Sequence, residues 1–596
     1  MLGKAPVQGS REVGVGLKAL LIYPEMPPTY WSLRYALPFI GKKAVFPPLG
    51  LLTVAAMLPD AFEATLVDLN LEPLSESQVA GADLVFISAM IVQKASFERV
   101  VRLCNALQVP VVAGGPYPTS CHGEIRGVDH FVLNEAEVTL PRFLEDFARG
   151  EAGPCYTSPE HPDLARTPVP RFDLVRGKGY AQMAVQYSRG CPHHCEFCDI
   201  IELFGRRPRT KSPAQLLLEM DQLYEEGWRG SLFLVDDNFI GNRREVKALL
   251  PELARWQQAR HHPFSLFTEA SLDLAEDEDL MDLMVEAGFN MVFMGLETPD
   301  LCTLKAAGKQ QNLKADMLAS VQGIQRKGME VSGGFIVGFD SDAEDIFDRQ
   351  IRFIQEAGIP TAMVGLLTAL PRTQLHRRLQ AEGRLTDGTG GGNNTHDLRL
   401  NFLPRMEAAK LIAGYKRILA EIYRPDRYFE RCLRLLKNLK RHRMSSRRIR
   451  LTELRAFALS LVRQTFSGYG WAYWKYLVKG VLARPRLVTE TVTMAVKGHH
   501  FFQMTRGVLE LDRFKATLDT WAQAFEARLR GLRDQGRLTG LAEAQAYRDR
   551  LLRRMHARYR SLHKDFRAFS DEAVEAFQAS LDEQLRRFTR EAALLR

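Results

Sequence analysis

Three cysteines stand close together in SRGCPHHCEFCDI, as Cys191, Cys195 and Cys198 in a C-x3-C-x2-C spacing. Thiolates this near in sequence can hold three irons of one cubane and leave the fourth iron open to an outside ligand, and an open iron is a site for chemistry. The plainer alternative is structural zinc, with His193 or His194 completing a Cys3His set. Zinc sites commonly pair two knuckles, however, and the remaining cysteines, Cys104, Cys121, Cys155, Cys302 and Cys432, form no second pair. These five are expected to be small buried hydrophobes. Eight cysteines in 596 residues make no disulfide scaffold, so the pattern points to a reducing compartment.

To act together the three thiolates must sit on one loop at the end of a rigid element, and AQMAVQYS directly before them has the composition of a strand. SLFLVDD, FSLFTEAS, NMVFMGLE, EVSGGFIVGF and TAMVGLLTAL follow as further strands. SPAQLLLEMDQLYEEG and DEDLMDLMVEAG lie between them with apolar residues at helical spacing. Six strand-helix repeats over about 200 residues predict a partial (β/α)6 barrel of the TIM type across residues 180–385. Its strand ends carry Asp236 and Asp237 in VDDNF, Glu269 in FTEAS, Glu297 in GLETPD, and Gly334 and Gly338 in GGFIVGF. Exposed turns, ordinary salt bridges and simple packing are the competing explanations for these residues.

The stretch before the barrel alternates LKALLIY, ATLVDLN, ADLVFIS, VPVVAGG and HFVLNE with helical segments, which predicts an α/β, Rossmann-like doubly wound parallel sheet over residues 16–150. A ligand is expected at the carboxyl ends of its strands. Residues 151–179, with Pro154, Pro159, Pro162, Pro168 and Pro170, read as an extended linker. Residues 386–508, after GTGGGNN, read as a mainly helical C-terminal domain, and residues 509–596 as a charged helical extension. The net charge of +9 divides unevenly, about +21 from Asn401 onward and about −12 before it. Hydrophobic residues at 46% and charged residues at 25% exclude disordered and all-membrane classes. The N-terminus has no apolar signal core and no apolar run reaches transmembrane length, so the expected location is the cytoplasm.

The cysteine motif, with Phe197 before Cys198 at the end of the first of six strands, resembles the radical S-adenosylmethionine (SAM) superfamily. Together with the preceding domain, the segments SRGCPHHCEFCDIIELFGRRPRTK, VDDNFIGN, FTEASLDLA, GLETPD, GGFIVGFDSD and MVGLLTALPRTQL resemble the cobalamin-binding radical SAM proteins. Within these, the likeness is to the subgroup that includes the hopanoid C-2 methylase, and it covers roughly residues 16–505. The resemblance implies a 4Fe-4S cluster on Cys191, Cys195 and Cys198, whose open iron is chelated by the amino and carboxylate groups of SAM. It implies further SAM contacts at Phe197, at Asp236 and Asp237 for the amino group, at Glu269 and Glu297 for the ribose or methionine end, and at Gly334 and Gly338 for the adenine.

For cobalamin, the family's D-x-H-x-x-G becomes Asp68-Leu69-Asn70-Leu71-Glu72-Pro73, so no histidine can act as lower cobalt ligand. Either cobalamin binds without one, near Asp68, Asn70, Ser88, Gly114, Gly115 and Glu135, or the domain is structural. The implied activity is C-methylation of an unactivated carbon on an apolar, hopanoid- or lipid-like substrate, with a flavodoxin- or ferredoxin-type electron donor. Cyclisation or ring rearrangement is the first alternative and a non-catalytic iron-sulfur or zinc protein the second. No nucleic-acid motif accompanies the basic C-terminal region, so no nucleic acid is expected. The basic run from Arg431 to Arg450 and the aromatics Trp471, Tyr473, Trp474 and Tyr476 lead instead to an expectation of peripheral contact with the inner membrane, against a solvated helix packed by its leucines.

Overall fold

The computed structural model describes residues 16–177, 179–386, 398–440, 451–534 and 540–594. Near-continuous apolar runs such as LKALLIY cannot alternate between core and solvent, and a strand buried on both faces belongs inside a parallel sheet. β1 (Leu17–Tyr23) accordingly pairs with β2 (Phe62–Asp68) on one side and β3 (Leu84–Ser88) on the other. β4 (Val111–Gly114), β5 (His130–Val132) and β6 (Cys155–Tyr156) extend the parallel sheet in the order 2-1-3-4-5-6. Ile22, Val85, Ile87, Phe97 and Val111 lie in its core. The proline-rich segment is therefore not a bare linker. Its start completes this sheet, and Tyr180 at its far end donates from its hydroxyl to buried Asp68 at 2.8 Å.

The barrel consists of β7 (Gln182–Val185), β8 (Ser231–Leu234), β9 (Ser265–Glu269), β10 (Phe289–Glu297), β11 (Glu330–Val337) and β12 (Ala362–Leu366). Each pairs in parallel with the next, and β7 and β12 remain edges, the open six-strand arrangement expected. Phe233 and Phe267 stack with centroids 4.5 Å apart inside it. Two aromatics from the chain after β1 join them, Phe46 at 6.0 Å from Phe233 and Trp31 at 4.9 Å from Phe293.

Helices Ala408–Ile422, Pro425–Asn438, Leu451–Thr465, Gly470–Ala483 and Val488–Asp534 make the C-terminal region. The chain divides into two compact units at His500/Phe501, inside the last of these helices, whereas the sequence suggested 508/509. Helical periodicity continues through that point, so it carries no mark of where tertiary contacts change. The second unit packs Phe525, Leu551, Met555 and Leu581 among its own helices. The basic run requires a correction. Arg431 is wholly buried, donating to the Ile359 and Ile422 carbonyls and to Gln355, and it lies over the Tyr428 ring at 5.5 Å. Arg441, Arg443, Arg447, Arg448 and Arg450 lie outside the described residues. Tyr473 and Tyr476 are likewise buried, whereas Trp471 and Trp474 face outward. Cys104, Cys121 and Cys432 are buried as expected, but Cys155 and Cys302 are exposed.

An ion-pair cluster joins the sheet to the barrel. Arg189, two residues before Cys191, donates to Glu135 Oε2 at 2.8 Å and to Glu137 Oε1 at 2.7 Å. Arg209 and His161 both reach Glu135 Oε1 at 2.8 Å. Glu135 was expected to contact cobalamin, but both of its oxygens are occupied by these partners and its side chain is 1% exposed. Its place is between two layers. Glu135→Gln should leave Arg189 and Arg209 short of a buried counter-charge and cost about 3 kcal/mol. The expected result is a lower urea midpoint at unchanged slope, with faster alkylation of Cys191; an unchanged midpoint would contradict the assignment.

Candidate functional site

The carboxyl end of the barrel is assembled around the loop that follows β7. Asp236, just beyond β8, accepts from the Tyr187 and Ser188 amides at 2.8 Å and from Ser188 Oγ at 2.6 Å. These bonds occupy both of its oxygens, so Asp236 shapes the loop and is not open to an amino group, contrary to expectation. Asp237 accepts from the Gly190 amide at 2.7 Å and is only partly buried. Gly190 has φ +96°, and a Cβ there would come within 3.1 Å of the Arg207, Gly205 and Phe204 carbonyls. A left-handed residue against three backbone oxygens has to be glycine. The turn it makes delivers Cys191.

Cys191, Cys195 and Cys198 then follow in a loop held from outside. The Glu196 amide donates to Ala307 O at 3.1 Å, the Leu375 amide donates to Glu196 O at 2.8 Å, and Arg378 pairs with the Glu196 carboxylate at 2.9 Å. Two carboxamides address sulfur, Asn238 Nδ2 at 4.0 Å from Cys191 Sγ and Gln311 Nε2 at 3.7 Å from Cys195 Sγ. Burial pushes the Cys191 and Cys198 thiols upward, so thiolates here call for nearby positive charge, which bound iron supplies. The donor set thus fits three corners of a cluster. The zinc alternative would need His193 or His194 as a fourth ligand. His194 is instead held by Gln374 at 2.6 Å.

Phe197 makes an edge contact with Phe339 at 5.8 Å, and the Lys309 ammonium lies 5.9 Å from its ring centre. Lys309 pairs with Glu297 at 2.7 Å, which settles Glu297 as a salt-bridged residue. Glu297 holds φ +59°, an uncommon backbone state for a side-chain-bearing residue, and its carboxylate lies across Gly295. Glu269 differs. It is half-buried by surface yet enclosed by the barrel wall, and burial, with Asp237 and Asp236 nearby, raises its carboxyl to about 8. Burial likewise raises Asp236 to about 7 and Asp237 to about 6. Gly334 abuts Phe293 in the barrel wall, whereas Gly338 lies against Leu411 of a C-terminal helix, so the latter answers to packing and not to an adenine.

In the sheet domain, Gly115 has φ +87° and a Cβ on it would meet Ser88 Oγ at 2.4 Å. A Cβ on Gly114 would meet Val132 O at 2.7 Å. The strand ends are therefore bare backbone with one hydroxyl, a surface on which a broad planar ligand can lie. Asp68 and Asn70 turn away from that role. The Asn70 amide and Nδ2 donate to Asp68 Oδ1 at 2.8 and 2.7 Å, and the Met26 amide donates to Asn70 Oδ1 at 2.8 Å, closing the loops after β1 and β2 on each other. Lys309, Gln311, Asn238 and Arg378 were not identified from sequence. Asn238 lies within the VDDNF segment, whereas the other three carry no periodic or motif signal and reach the site only through folding.

Residues 42–144 match the B12 binding domain, residues 185–354 the Radical SAM superfamily, and residues 373–512 a domain of unknown function, DUF4070. An uncharacterized methyltransferase of Synechocystis sp., sll1242, is 42% identical over 492 residues, 82% of this chain and 92% of that protein. The hopanoid C-2 methylase of Rhodopseudomonas palustris is 34% identical over 419 residues, 70% and 78% of the two chains. Among solved structures, the radical SAM methyltransferase TsrM from Kitasatospora setae, with cobalamin and a [4Fe-4S] cluster bound, shares the fold. Its TM-score is 0.52 at 15% identity, over 79% of this chain and 99% of that one.

A carboxyl raised in the folded state favours the protonated protein, so its contribution is fully present below the ordinary carboxylate range and is lost as pH rises through the folded value. For Glu269 that window runs from 4.5 to about 8. Without small-molecule ligands, the melting temperature should fall across it, and Glu269→Gln should flatten the fall and raise the midpoint at pH 8 by about 1–2 °C. An equally steep decline in the variant, read by scanning calorimetry, would remove Glu269 from this role.

Proposed function

The chain belongs to the cobalamin-binding radical SAM methyltransferase family, and from that premise we propose that it methylates an unactivated carbon of a large apolar, hopanoid- or lipid-like substrate. It is an enzyme that works with a 4Fe-4S cluster, SAM and cobalamin on a small-molecule substrate. When bound, the cluster and SAM supply a carbon-centred radical, and cobalamin supplies the methyl group. The rest is the protein's part.

Cys191, Cys195 and Cys198 would hold the cluster, with the Asn238 and Gln311 amides pointing N–H toward sulfur. Asp237 and Glu269, carboxyls held toward the protonated form by burial and in no ion pair among the described residues, would ionise against the cationic end of SAM and receive it. Phe197 would border the same ligand, and Gly334 would leave room beside Phe293. Ser88, Gly114 and Gly115 would carry cobalamin, with Asp68 and Asn70 positioning the loops beside it.

The aromatic wall is the observation that carries the substrate class. Phe233 stacked on Phe267, Phe293 under Trp31, and Phe46 line the barrel interior below the carboxylates. A wall of flat apolar faces beneath a polar rim suits a polycyclic hydrocarbon held under the reacting groups. The named relative that methylates a hopanoid points the same way. Such a substrate resides in a bilayer, so the reading includes contact with a membrane surface, and a flavodoxin- or ferredoxin-type protein would supply electrons.

Anaerobically reconstituted enzyme with an apolar polycyclic lipid and reductant should release S-adenosylhomocysteine and 5′-deoxyadenosine in equal amounts. Alanine at Cys191, Cys195 or Cys198 should abolish both. Loss of S-adenosylhomocysteine alone, with substrate still consumed, would replace methylation by a cyclisation or ring rearrangement. Paramagnetic resonance of the cob(II)alamin form should show no axial nitrogen splitting, since the closed loop at Asn70 offers no imidazole; such splitting would refute a histidine-free lower face.

A further inference from the structure

Seven of the twelve large apolar side chains that stand exposed among the described residues fall between Leu454 and Leu482. They belong to a helical hairpin. Helix Leu451–Thr465 presents Leu454 and Val462, and Phe466 follows at its end, 87% exposed. Helix Gly470–Ala483 presents Trp471, Trp474, Val478 and Leu482, spaced i, i+3, i+7 and i+11 along one face. Its other face is core, with Tyr473, Tyr476 and Leu477 buried. The outward stripe is fixed in place, because Trp474 Nε1 donates to Thr465 Oγ1 at 3.0 Å and so ties one helix to the other.

Charge identifies what such a face would meet. Lys475 and Lys479 alternate with the apolar side chains and are exposed, as are Arg463 and Arg486 nearby. Glu453 is the only acidic residue from 451 to 483. The centre of a protein interface is depleted of lysine. Tryptophan interleaved with lysine on one helical face is instead the composition that settles at the boundary of an anionic bilayer, with rings among the headgroups and ammoniums on the phosphates. No helix among the described residues is long and apolar enough to cross a membrane, so the hairpin would lie on the surface.

We propose that the outward face of the helical hairpin 451–483 docks the enzyme on an anionic lipid surface. The proposal rests on the lipid-like substrate reading for its purpose, and packing links the hairpin to the barrel. Ala456 and Leu459 of the first helix pack on Phe39 and Ile40. These two residues follow closely on Trp31, which reaches Phe293 in the barrel. The segment that brings Trp31 against the barrel is thus seated directly on the helix that would touch the bilayer.

The test uses the reconstituted holoenzyme in flotation with vesicles of phosphatidylglycerol and phosphatidylcholine, and with phosphatidylcholine alone. Wild type should float with the anionic vesicles and lose most of that binding at about 0.5 M salt, since the screening length shrinks from about 10 Å at 0.1 M to about 3 Å at 1 M. Trp471→Glu with Leu482→Glu should reduce flotation at least about tenfold, and Lys475→Glu with Lys479→Glu should reduce it on anionic vesicles, a tenfold change being about 1.4 kcal/mol. All four positions are exposed, so reductive SAM cleavage measured without lipid should stay at the wild-type rate and certify folding. Failure of wild type to float, or equal flotation of the variants, would overturn the proposal. So would a dimer that the tryptophan variant converts to monomer without any vesicle binding, which would make the face a contact between two copies. Methylation of a detergent-dispersed lipid separates the two readings: floating enzyme that methylates no lipid defeats the substrate class alone, and methylating enzyme that never floats defeats the docking face alone.

Discussion

The cost of placing negative charge in a low-dielectric barrel is the constraint around which the molecule is arranged. Asp236, Asp237 and Glu269 stand at neighbouring strand ends with three buried or half-buried thiols close by, and burial penalises the charged form of each. The protein answers in two ways. It closes Asp236 with three hydrogen bonds from the loop that leads to Cys191, turning a charge into a hinge for the cysteines. It sets Lys309 on Glu297, within reach of the field of Cys195 and Cys198, so that one ammonium serves both strand ends and loop. What is left uncompensated, on Glu269 and the outer oxygen of Asp237, is the part that a cationic ligand can satisfy. Burial holds Glu269, and more weakly Asp237, toward the protonated form, and a cation arriving there would draw them into the charged one.

The same logic explains the join between sheet and barrel. Arg189 must be near Cys191 because the chain runs through it, and a buried guanidinium needs carboxylates. Glu135 and Glu137, at the start of the helix Ala136–Ala148, provide them, and Arg209 returns the short ladder Ser188–Arg189 with Arg209–Thr210 to the same oxygens. The sheet domain is thereby fixed against the cysteine loop and not merely tethered to it. A cofactor lying on Ser88 and Gly115 is then held at a set distance from the barrel mouth by the protein's own ion pairs.

Much of this was legible before any coordinates, and the division has a physical reason. Strands and the three cysteines are local features: a run such as LVFIS declares its burial, and C-x3-C-x2-C declares its loop. Both sheets and the order of barrel strands followed from them. Several of the misread or missed residues share long-range pairing. Glu135 meets a partner 54 positions away, Arg431 one 72 positions away, and Gln311 a sulfur 116 positions away, and no window of sequence contains both members. Arg431 counted as part of a basic face for this reason, although its donors are consumed by carbonyls inside the helical core. The aromatics of the hairpin divided for a related reason. Tyr473 and Tyr476 fall on the packed side of one helix and Trp471 and Trp474 on the open side, a distinction of three residues that composition averages away.

Asn70 shows how far a motif departure can reach into structure. Where related domains offer a histidine to cobalt, this chain has a carboxamide that both accepts and donates: Oδ1 takes the Met26 amide, and Nδ2 gives to Asp68 and, at 3.3 Å, to Pro24 O. Asp68 is in turn capped by Tyr180 from the run into β7, so the end of β2 is bonded to the start of the barrel. An imidazole cannot reproduce two opposed bonds to backbone and a third to a carboxylate from that position. Replacing Asn70 by histidine would therefore break the closure without aiming a ring at the ligand. The missing histidine is a commitment of the whole corner of the fold, and the lower face of the cofactor is left to whatever the bare strand ends allow.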